Sequence, residues 1–266
     1  MLQPPALEKF FKFPLHIARQ FLSLLCHKRS GSPSAGAIAL MLCLSGSPAL
    51  AGGLLVDKVY HPYVEALEQE LGWRATWQDH QRDEADRAQR QHASYGRAFG
   101  ERWFGELNVI SAQSASQSLA IEAVELEAIH QLTEQGEYWA DWGLLLELEK
   151  DIHEDAWELA SGILVEKELG QWSLAANLIV SREWGSDTDS ELESEFALQA
   201  RYRYARHIEP ALEFYGAEDG RALGPALMGD IRFGMRRALH WELGLLFGLD
   251  HDSPDNSLRA GIEYGF

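Results

Sequence analysis

The sequence is poor in cysteine, in basic residues and in long hydrophobic runs. Its only two cysteines, Cys26 and Cys43, lie within the first 51 residues. After Ala51, no stretch approaches the 18 or more consecutive apolar residues that would indicate a transmembrane helix. Lys and Arg number 23 against 41 Asp and Glu, a net charge of −18. This acidity argues against non-specific binding to nucleic acid, so we expect no nucleic-acid partner.

The first 51 residues have the features of a secretory signal peptide. Five basic residues precede Ser30, and an apolar stretch covers residues 35–44. Residues 49–51, Ala-Leu-Ala, then provide the small side chains of a cleavage site. We predict a signal peptide over 1–51, with an extended basic region, and a single domain over 52–266. The alternative is an N-terminal anchor, but the apolar stretch is shorter than the roughly 20 residues that a spanning helix needs.

Cleavage after Ala51 would leave an acidic chain without cysteine. The leader contains five of the 23 basic residues and one of the 41 acidic ones, so 18 and 40 remain, a net charge of −22. Without cysteines the exported domain cannot rely on disulfides, and its stability must come from its fold.

Apolar and polar residues alternate through most of the chain after the leader. Around residue 244, for example, Trp241, Leu243, Leu245 and Phe247 alternate with Glu242, Gly244, Leu246 and Gly248. A period of two indicates β-strands, whereas a helix would need a period of 3.6. We therefore predict an all-β fold, a transmembrane antiparallel up-and-down β-barrel of about twelve strands. They are placed near residues 63–78, 91–98, 102–110, 118–132, 137–149, 156–169, 171–184, 192–206, 208–216, 223–234, 238–249 and 257–266.

The predicted connections alternate in length. Long ones cover residues 79–90, 111–117, 150–155, 185–191, 217–222 and 250–256, and short ones lie near Gly100, 133–136, Gly170, His207 and 235–237. Bacterial barrels have short periplasmic turns and longer outer loops, so the pattern predicts that both termini are periplasmic. We also expect bulges or irregular strand ends at Pro210 and Pro225, because proline removes a hydrogen-bond donor.

The aromatic residues suggest two belts at the membrane surfaces. Trp103, Trp139, Trp172, Trp241 and Phe266 are predicted near the periplasmic strand ends, and Trp77, Trp157, Trp184 and Tyr215 near the outer ends. Such belts are typical of membrane barrels. A water-soluble barrel of lipocalin type has the same alternation turned inside out, and periodicity alone does not separate the two. The leader, the belts and the terminal aromatic favour the membrane.

The C-terminal strand carries Leu258, Ala260, Ile262, Tyr264 and Phe266 on one face. This ending resembles the terminal strand of bacterial outer-membrane barrels, in which Tyr264 and Phe266 would be the assembly signal. In addition, residues 136–149, 223–227 and 244–249 resemble uncharacterised proteobacterial outer-membrane proteins. The resemblance implies a place in the outer membrane of a Gram-negative bacterium, among its lipid and lipopolysaccharide, with the barrel-assembly machinery as a partner. It implies no activity.

The polar phase of the strands should face the lumen and is heavily charged. The candidate pore-lining residues are Glu125, Glu127, Asp141, Glu147, Glu166, Glu195, Arg201, Arg203, Asp230, Arg232, Glu242, Arg259 and Glu263. Acids outnumber arginines, and acidic rings favour cations. We predict a narrow, porin-like passive channel for small solutes, with cations favoured. Twelve strands fall between filled and open barrels, so the alternative is a structural barrel whose lumen is filled by paired charges.

Two further readings concern chemistry, and we favour neither. His92 and Ser94 have the spacing that resembles outer-membrane phospholipases, although Tyr95 stands where that family has Asn. We predict a protein without enzymatic activity, and a phospholipase-type lipid hydrolase is the alternative. The histidines are scattered without the spacing of a zinc site, and the acidic loop 250–256 would hold a hard cation only weakly. We predict no cofactor and no metal.

Overall fold

The computed structural model describes residues 55–79, 88–113, 118–188, 190–218, 220–234, 237–251 and 253–266. The predicted signal peptide and residues 80–87 of the first long connection lie outside them. The twelve strands are β1 (Gln69–Asp79), β2 (Ala88–Phe99), β3 (Trp103–Gln113), β4 (Ala120–Gln131), β5 (Asp141–Asp151), β6 (Ala156–Leu169), β7 (Trp172–Gly185), β8 (Leu192–Tyr202), β9 (Glu209–Ala217), β10 (Gly220–Arg232), β11 (Ala238–Gly248) and β12 (Asn256–Gly265). Within these ranges no helix is long and apolar enough to cross a membrane.

Each strand pairs antiparallel with its neighbours in the chain, and β1 pairs with β12 to close the barrel. The seam runs from Glu70 opposite Gly265 to Asp79 opposite Asn256. The backbone N–H of Phe266 extends it by donating to the Gln69 carbonyl at 2.9 Å. The predicted closed twelve-stranded antiparallel barrel is therefore confirmed.

The barrel wall is apolar outside and charged inside. Leu126 and Leu146, on the outer face, are 57% and 47% exposed, whereas Glu166, Glu213 and Arg259 are fully buried on the inner face. A water-soluble barrel would bury its apolar phase and expose its charges. The exterior is therefore the apolar band of an outer-membrane-type barrel.

Three predicted strand boundaries are wrong by four residues or more. β1 begins at Gln69 rather than near 63, because the chain turns at Leu67, whose φ is +69°. β5 begins at Asp141 rather than near 137, because the preceding residues fold back and the Thr133 hydroxyl accepts a hydrogen bond from the Trp142 N–H at 2.9 Å. β8 ends at Tyr202 rather than near 206, where a tight turn leaves only an isolated bridge between Ala205 and Ile208.

The predicted alternation of connection lengths is wrong at several connections. Those between β8 and β9 and between β10 and β11, expected to be short, have six and five residues, and two others depart further. The connection between β4 and β5 has nine residues, 132–140, although it was expected to be short. The connection between β9 and β10 has two residues, although it was expected to be long. Two names are used below for the ends of the barrel. The terminal end is the one at which β1 starts and β12 finishes, and the loop end is the opposite one.

One aromatic residue is not in its predicted belt. Tyr215 is 4% exposed on the inner face of β9, because it shares the phase of buried Glu213 rather than that of outward-facing Leu212. By contrast, Trp139 and Trp103 are 69% and 44% exposed.

Neither proline forms a shift of strand register. Pairing between β8 and β9 stops at Ala211, next to Pro210, and the pairs between β10 and β11 skip Gly224 and Pro225 without a change of register. The register shifts instead between Ile110 and Ser111 of β3.

Candidate functional site

Residues 55–64 run inside the barrel, and we call them the lumen segment. Val56, Val59, Tyr60 and Pro62 are buried there. The segment precedes β1, and a turn joins the two, with the Glu68 N–H donating to the Glu65 carbonyl at 3.2 Å. The sequence alone assigns residues 63 and 64 to the first strand and gives residues 55–62 no role.

Near the loop end the segment is held by charge. The Asp57 carboxylate accepts a hydrogen bond from Nη2 of Arg74 in β1 at 3.2 Å, and Nε of Arg74 lies 2.8 Å from its other oxygen. The Asp57 carbonyl accepts from Nη1 of Arg259 in β12 at 3.1 Å, and the Tyr215 hydroxyl lies 3.2 Å away. Side chains from three parts of the wall thus converge on a single residue of the segment.

In the middle, the segment is bound through its backbone as well as its side chains. The Asn177 amide of β7 accepts from the Tyr60 N–H at 2.8 Å and donates to the Tyr60 carbonyl at 2.9 Å. The Tyr60 hydroxyl donates to Glu147 of β5 at 2.6 Å. Nζ of Lys58 lies 3.4 Å from a carboxylate oxygen of Glu106 and 3.3 Å from one of Glu127. Its positive charge therefore balances two neighbouring carboxylates.

Towards the terminal end the contacts pass to β4, β5 and β6. Nδ1 of His61 lies 2.7 Å from Glu166. The Tyr63 hydroxyl donates to Asp141 at 2.8 Å, and the Val64 N–H donates to the Gln131 side chain at 2.9 Å. Together with the contacts above, eight of the twelve strands bond to the segment, which therefore lies within the lumen and not against one wall.

The wall is recessed where the segment passes. A Cβ placed on Gly143 of β5 would lie 3.0 Å from both Cα and Cβ of Pro62. This is closer than ordinary van der Waals contact, so glycine allows the approach of two backbones.

Arg259 is the central cation of the interior. Its Nη2 lies 2.8 and 2.9 Å from the two carboxylate oxygens of Glu213 and 3.4 Å from Glu242. The side chains of Arg259 and Glu213 are both 0% exposed. Such short bonds to a fully buried carboxylate satisfy charges that would otherwise be very costly in this environment.

An acidic cavity of about 370 Å³ opens above the segment at the loop end, and Val56 and Asp57 form part of its lining. Arg90 and His92 are the basic side chains in that lining. Its carboxylates are Asp57, Glu122, Glu125, Glu147, Glu149, Asp151, Glu154, Glu158, Glu183, Glu193 and Glu195. Arg90 is itself paired with Glu149, at 2.8 Å, so the cavity keeps a large excess of acidic groups.

The structure places most of the candidate pore-lining residues on the inner face of the wall. Glu127, Asp141, Glu147, Glu166 and Arg259 contact the lumen segment. Glu125, Glu147 and Glu195 line the acidic cavity.

The remaining candidates lie nearer the terminal end. Arg201 lies 3.7 Å from Glu166 and 3.6 Å from Glu209, and Asp230 lies 2.8 Å from His240. Glu242 contacts Arg259, and Glu263 sits opposite Gly72 across the seam.

Two candidates are not enclosed by the wall. Arg203 lies beyond the end of β8, with Glu168 at 2.5 Å, and Arg232 is exposed at the end of β10. The functional candidates that the sequence reasoning missed are Asp57, Lys58, Tyr60, Glu106 and Asn177. The inner phase of β3 and β7 could have indicated Glu106 and Asn177.

Acidic side chains also meet just before β1. Burial, together with the nearby carboxylates of Glu65 and Glu263, raises the pKa of Glu68 to about 7. The charge at this turn therefore changes near neutral pH, next to the residues that connect the lumen segment to the wall.

The structure also places the residues considered for lipid hydrolysis and for metal binding. His92 is 8% exposed on the inner face, where its Nδ1 lies 3.2 Å from Nη2 of Arg74, and Ser94 hydrogen-bonds to Glu106. A His–Ser pair open to lipid is therefore not formed. Within the described ranges, no group of three or more His, Cys, Asp or Glu residues is arranged to hold a metal ion.

Known structures share this architecture. The chain is similar to the KdgM porin in complex with disordered oligogalacturonate, with 11% identity and a TM-score of 0.52 over 74% of this chain and 99% of that one. It is also similar to an outer membrane channel from Pseudomonas putida F1, with 13% identity and a TM-score of 0.56 over 79% and 98%. No protein-family model matches the chain, and no curated protein does. At these identities the likeness shows the fold, an outer-membrane-type β-barrel.

Proposed function

We propose that this barrel is a narrow passive channel for small cationic solutes, which enter at the loop end. The observation that carries the proposal is the acidic cavity, in which eleven of seventeen lining residues are Asp or Glu. The fold is shared with a porin and with an outer membrane channel, which supports transport as the function.

The charge of the cavity favours cations for an electrostatic reason. Clefts lined by charge of one sign, with low-dielectric walls, focus the field and concentrate counter-ions. Rings of Asp and Glu are a usual basis of cation selectivity in channels. Because Arg90 is already paired, the net field at this mouth repels anions.

Reversal potentials in planar bilayers, measured across a potassium chloride gradient, test this function. We expect the refolded protein to conduct and to prefer potassium, and we expect the double variant Glu193→Gln/Glu195→Gln to shift the reversal potential towards zero. The control is Glu218→Gln, which neutralises an exposed acid of the β9–β10 connection outside the cavity lining. An anion preference, or a double variant identical to wild type, would contradict the proposal.

A structural barrel with a filled lumen is the second candidate. The lumen segment favours it, since the segment bonds to eight strands through its backbone and side chains and occupies the space through which a solute would pass. Silence in the bilayer, both of wild type and of a variant lacking residues 55–64, would support this candidate and exclude transport.

The location is part of the same proposal. The apolar exterior suits the outer membrane of a Gram-negative bacterium, with lipid and lipopolysaccharide around the barrel. We propose that both termini face the periplasm, and that the barrel-assembly machinery inserts the chain through the strand ending in Tyr264 and Phe266. We also propose that eleven of the thirteen candidate residues, all except Arg203 and Arg232, line the pore.

A further inference from the structure

We propose that the lumen segment is a gate, which closes the channel when docked and opens it when it swings out of the barrel. This inference rests on the proposed channel function, because a gate needs a pathway to close. It concerns residues 55–64, and it makes Asn177 and Gly143 the parts of the wall that recognise the closed position.

The first argument is that the wall is built for the segment. Asn177 bonds both the N–H and the carbonyl of Tyr60, as a neighbouring strand would, at 2.8 and 2.9 Å. Gly143 leaves the space that Pro62 occupies. A chain that merely filled spare volume would need neither a paired amide nor a recess, so the docked position is specific.

The second argument is that docking obstructs the pathway. The segment bonds to strands around the whole circumference, from β1 to β12. A cavity between it and the wall of β7 to β9 has about 50 Å³, room for only a few waters. The acidic cavity at the loop end is therefore bounded on its inner side by the lumen segment, whose Val56 and Asp57 line it.

The third argument is that the wall keeps much of its own charge balance when the segment leaves. Arg259 remains bonded to Glu213 and Glu242, Arg90 to Glu149, and Arg201 to Glu166 and Glu209. The charged side chains of the segment would exchange their partners for water. Undocking therefore breaks the polar contacts of the segment itself and leaves these ion pairs of the wall intact.

The fourth argument is a hinge between the segment and β1. Residues 65–67 are exposed, and Leu67 has φ +69°, a left-handed conformation that is costly for a leucine. A strained, exposed turn next to a rigid strand is a place where the chain can change direction without disturbing the barrel.

A cysteine pair can lock the gate. The Gly143→Cys/Pro62→Cys double variant places two cysteines where the Cβ separation is 3.0 Å. This is shorter than the roughly 3.5–4.5 Å of a disulfide, so the segment must move outwards by a few tenths of an ångström for the bond to form. The predicted mature chain offers no competing cysteine. We expect openings in planar bilayers under reducing conditions and their loss on oxidation, with recovery after reduction. The single Pro62→Cys variant, treated identically, is the control.

Deletion of residues 55–64 separates this inference from the channel function. We expect the deletion variant to conduct persistently, whereas wild type opens and closes. A conducting deletion variant with a silent wild type would overturn the gate and indicate a fixed plug. Silence of the deletion variant, with a heat-modifiable barrel on gels, would overturn the channel function as well. If the two introduced cysteines form their disulfide on oxidation and conduction does not change, the gate is also overturned.

A point variant keeps the proposal testable if the deletion does not fold. Asn177→Ala removes two hydrogen bonds that exist only in the docked state, so we expect the ratio of open to closed time to rise about tenfold. The control is Asn108→Ala, which changes an equally buried inner-face asparagine that bonds to Glu125 and not to the segment. An Asn177→Ala variant with wild-type gating would overturn the proposal.

Discussion

At the scale of single residues, the interior depends on a few cations among many acids. Arg259 is fully buried, it bonds Glu213 through both carboxylate oxygens, and it reaches the Asp57 carbonyl of the lumen segment. Replacing it would leave Glu213 buried without its counter-charge. Exposed pairs on the same barrel differ, because water already screens them.

Arg259→Ala should lower the free energy of unfolding by about 3–5 kcal/mol, since it leaves an uncompensated buried carboxylate. Denaturant unfolding in detergent micelles measures this, followed by tryptophan fluorescence. The matched control is Arg102→Ala. Arg102 pairs with Glu134, and their side chains are 44% and 63% exposed, respectively. It should cost no more than about 1 kcal/mol. Equal losses in the two variants would mean that the buried network contributes little.

At the scale of elements, strands were predictable because their signal is local. β6 was predicted at 156–169 and lies at Ala156–Leu169, since alternation runs through it and Gly170, with φ +65°, makes the turn. β5 was predicted too early because Tyr138 and Ala140 continue the alternation of the strand by coincidence. Periodicity does not reveal that the chain folds back there through Thr133.

The lumen segment was not predictable for the opposite reason, because its contacts are distant in sequence. Asp57 bonds to Arg74 and Arg259, and Tyr60 bonds to Asn177. Strand phase correctly indicated that Glu127 and Glu166 point inwards. It gave no means of telling that their partners would be Lys58 and His61 rather than a solute.

The apolar exterior of a strand leads to a prediction that depends on depth. Leu126, in the middle of β4, is outward-facing, so Leu126→Arg should destabilise the barrel by about 2–4 kcal/mol in a lipid bilayer. Leu119 is exposed just before the strand begins, and Leu119→Arg should cost about 1 kcal/mol or less. The free energies of unfolding of the two variants, measured in lipid vesicles, compare the two positions. Equal losses of stability would contradict a β4 that spans the membrane.

At the scale of the whole molecule, the barrel is held closed by one seam between its first and last strands. Phe266 lies at the end of that seam, and its ring stacks against Tyr264 with centroids 6.0 Å apart. The pairing of β1 with β12 is the condition for a wall without edges, and a barrel without free edges resists aggregation through strand pairing.

Deletion of Phe266 should reduce the yield of assembled barrel and leave the conductance of the assembled molecules unchanged. Unheated gels of the outer-membrane fraction measure the yield, because a folded barrel migrates differently before and after heating. The control is Phe233→Ala, which removes an exposed aromatic beyond the end of β10. Normal yield after deletion of Phe266 would exclude the proposed assembly signal, and a chain recovered only as a soluble periplasmic protein would exclude the membrane location.

The position of the lumen segment in the chain has a consequence for the order of biosynthesis. It precedes every strand, whereas the strand that completes the wall is the last to be made. If the segment takes its place before β1 meets β12, then Asp57, Tyr60 and His61 act as a template on which strands far apart in the chain gather. Substitutions in ten residues at the start of the domain would then slow the maturation of the whole barrel, an effect separable in time from any effect on permeation.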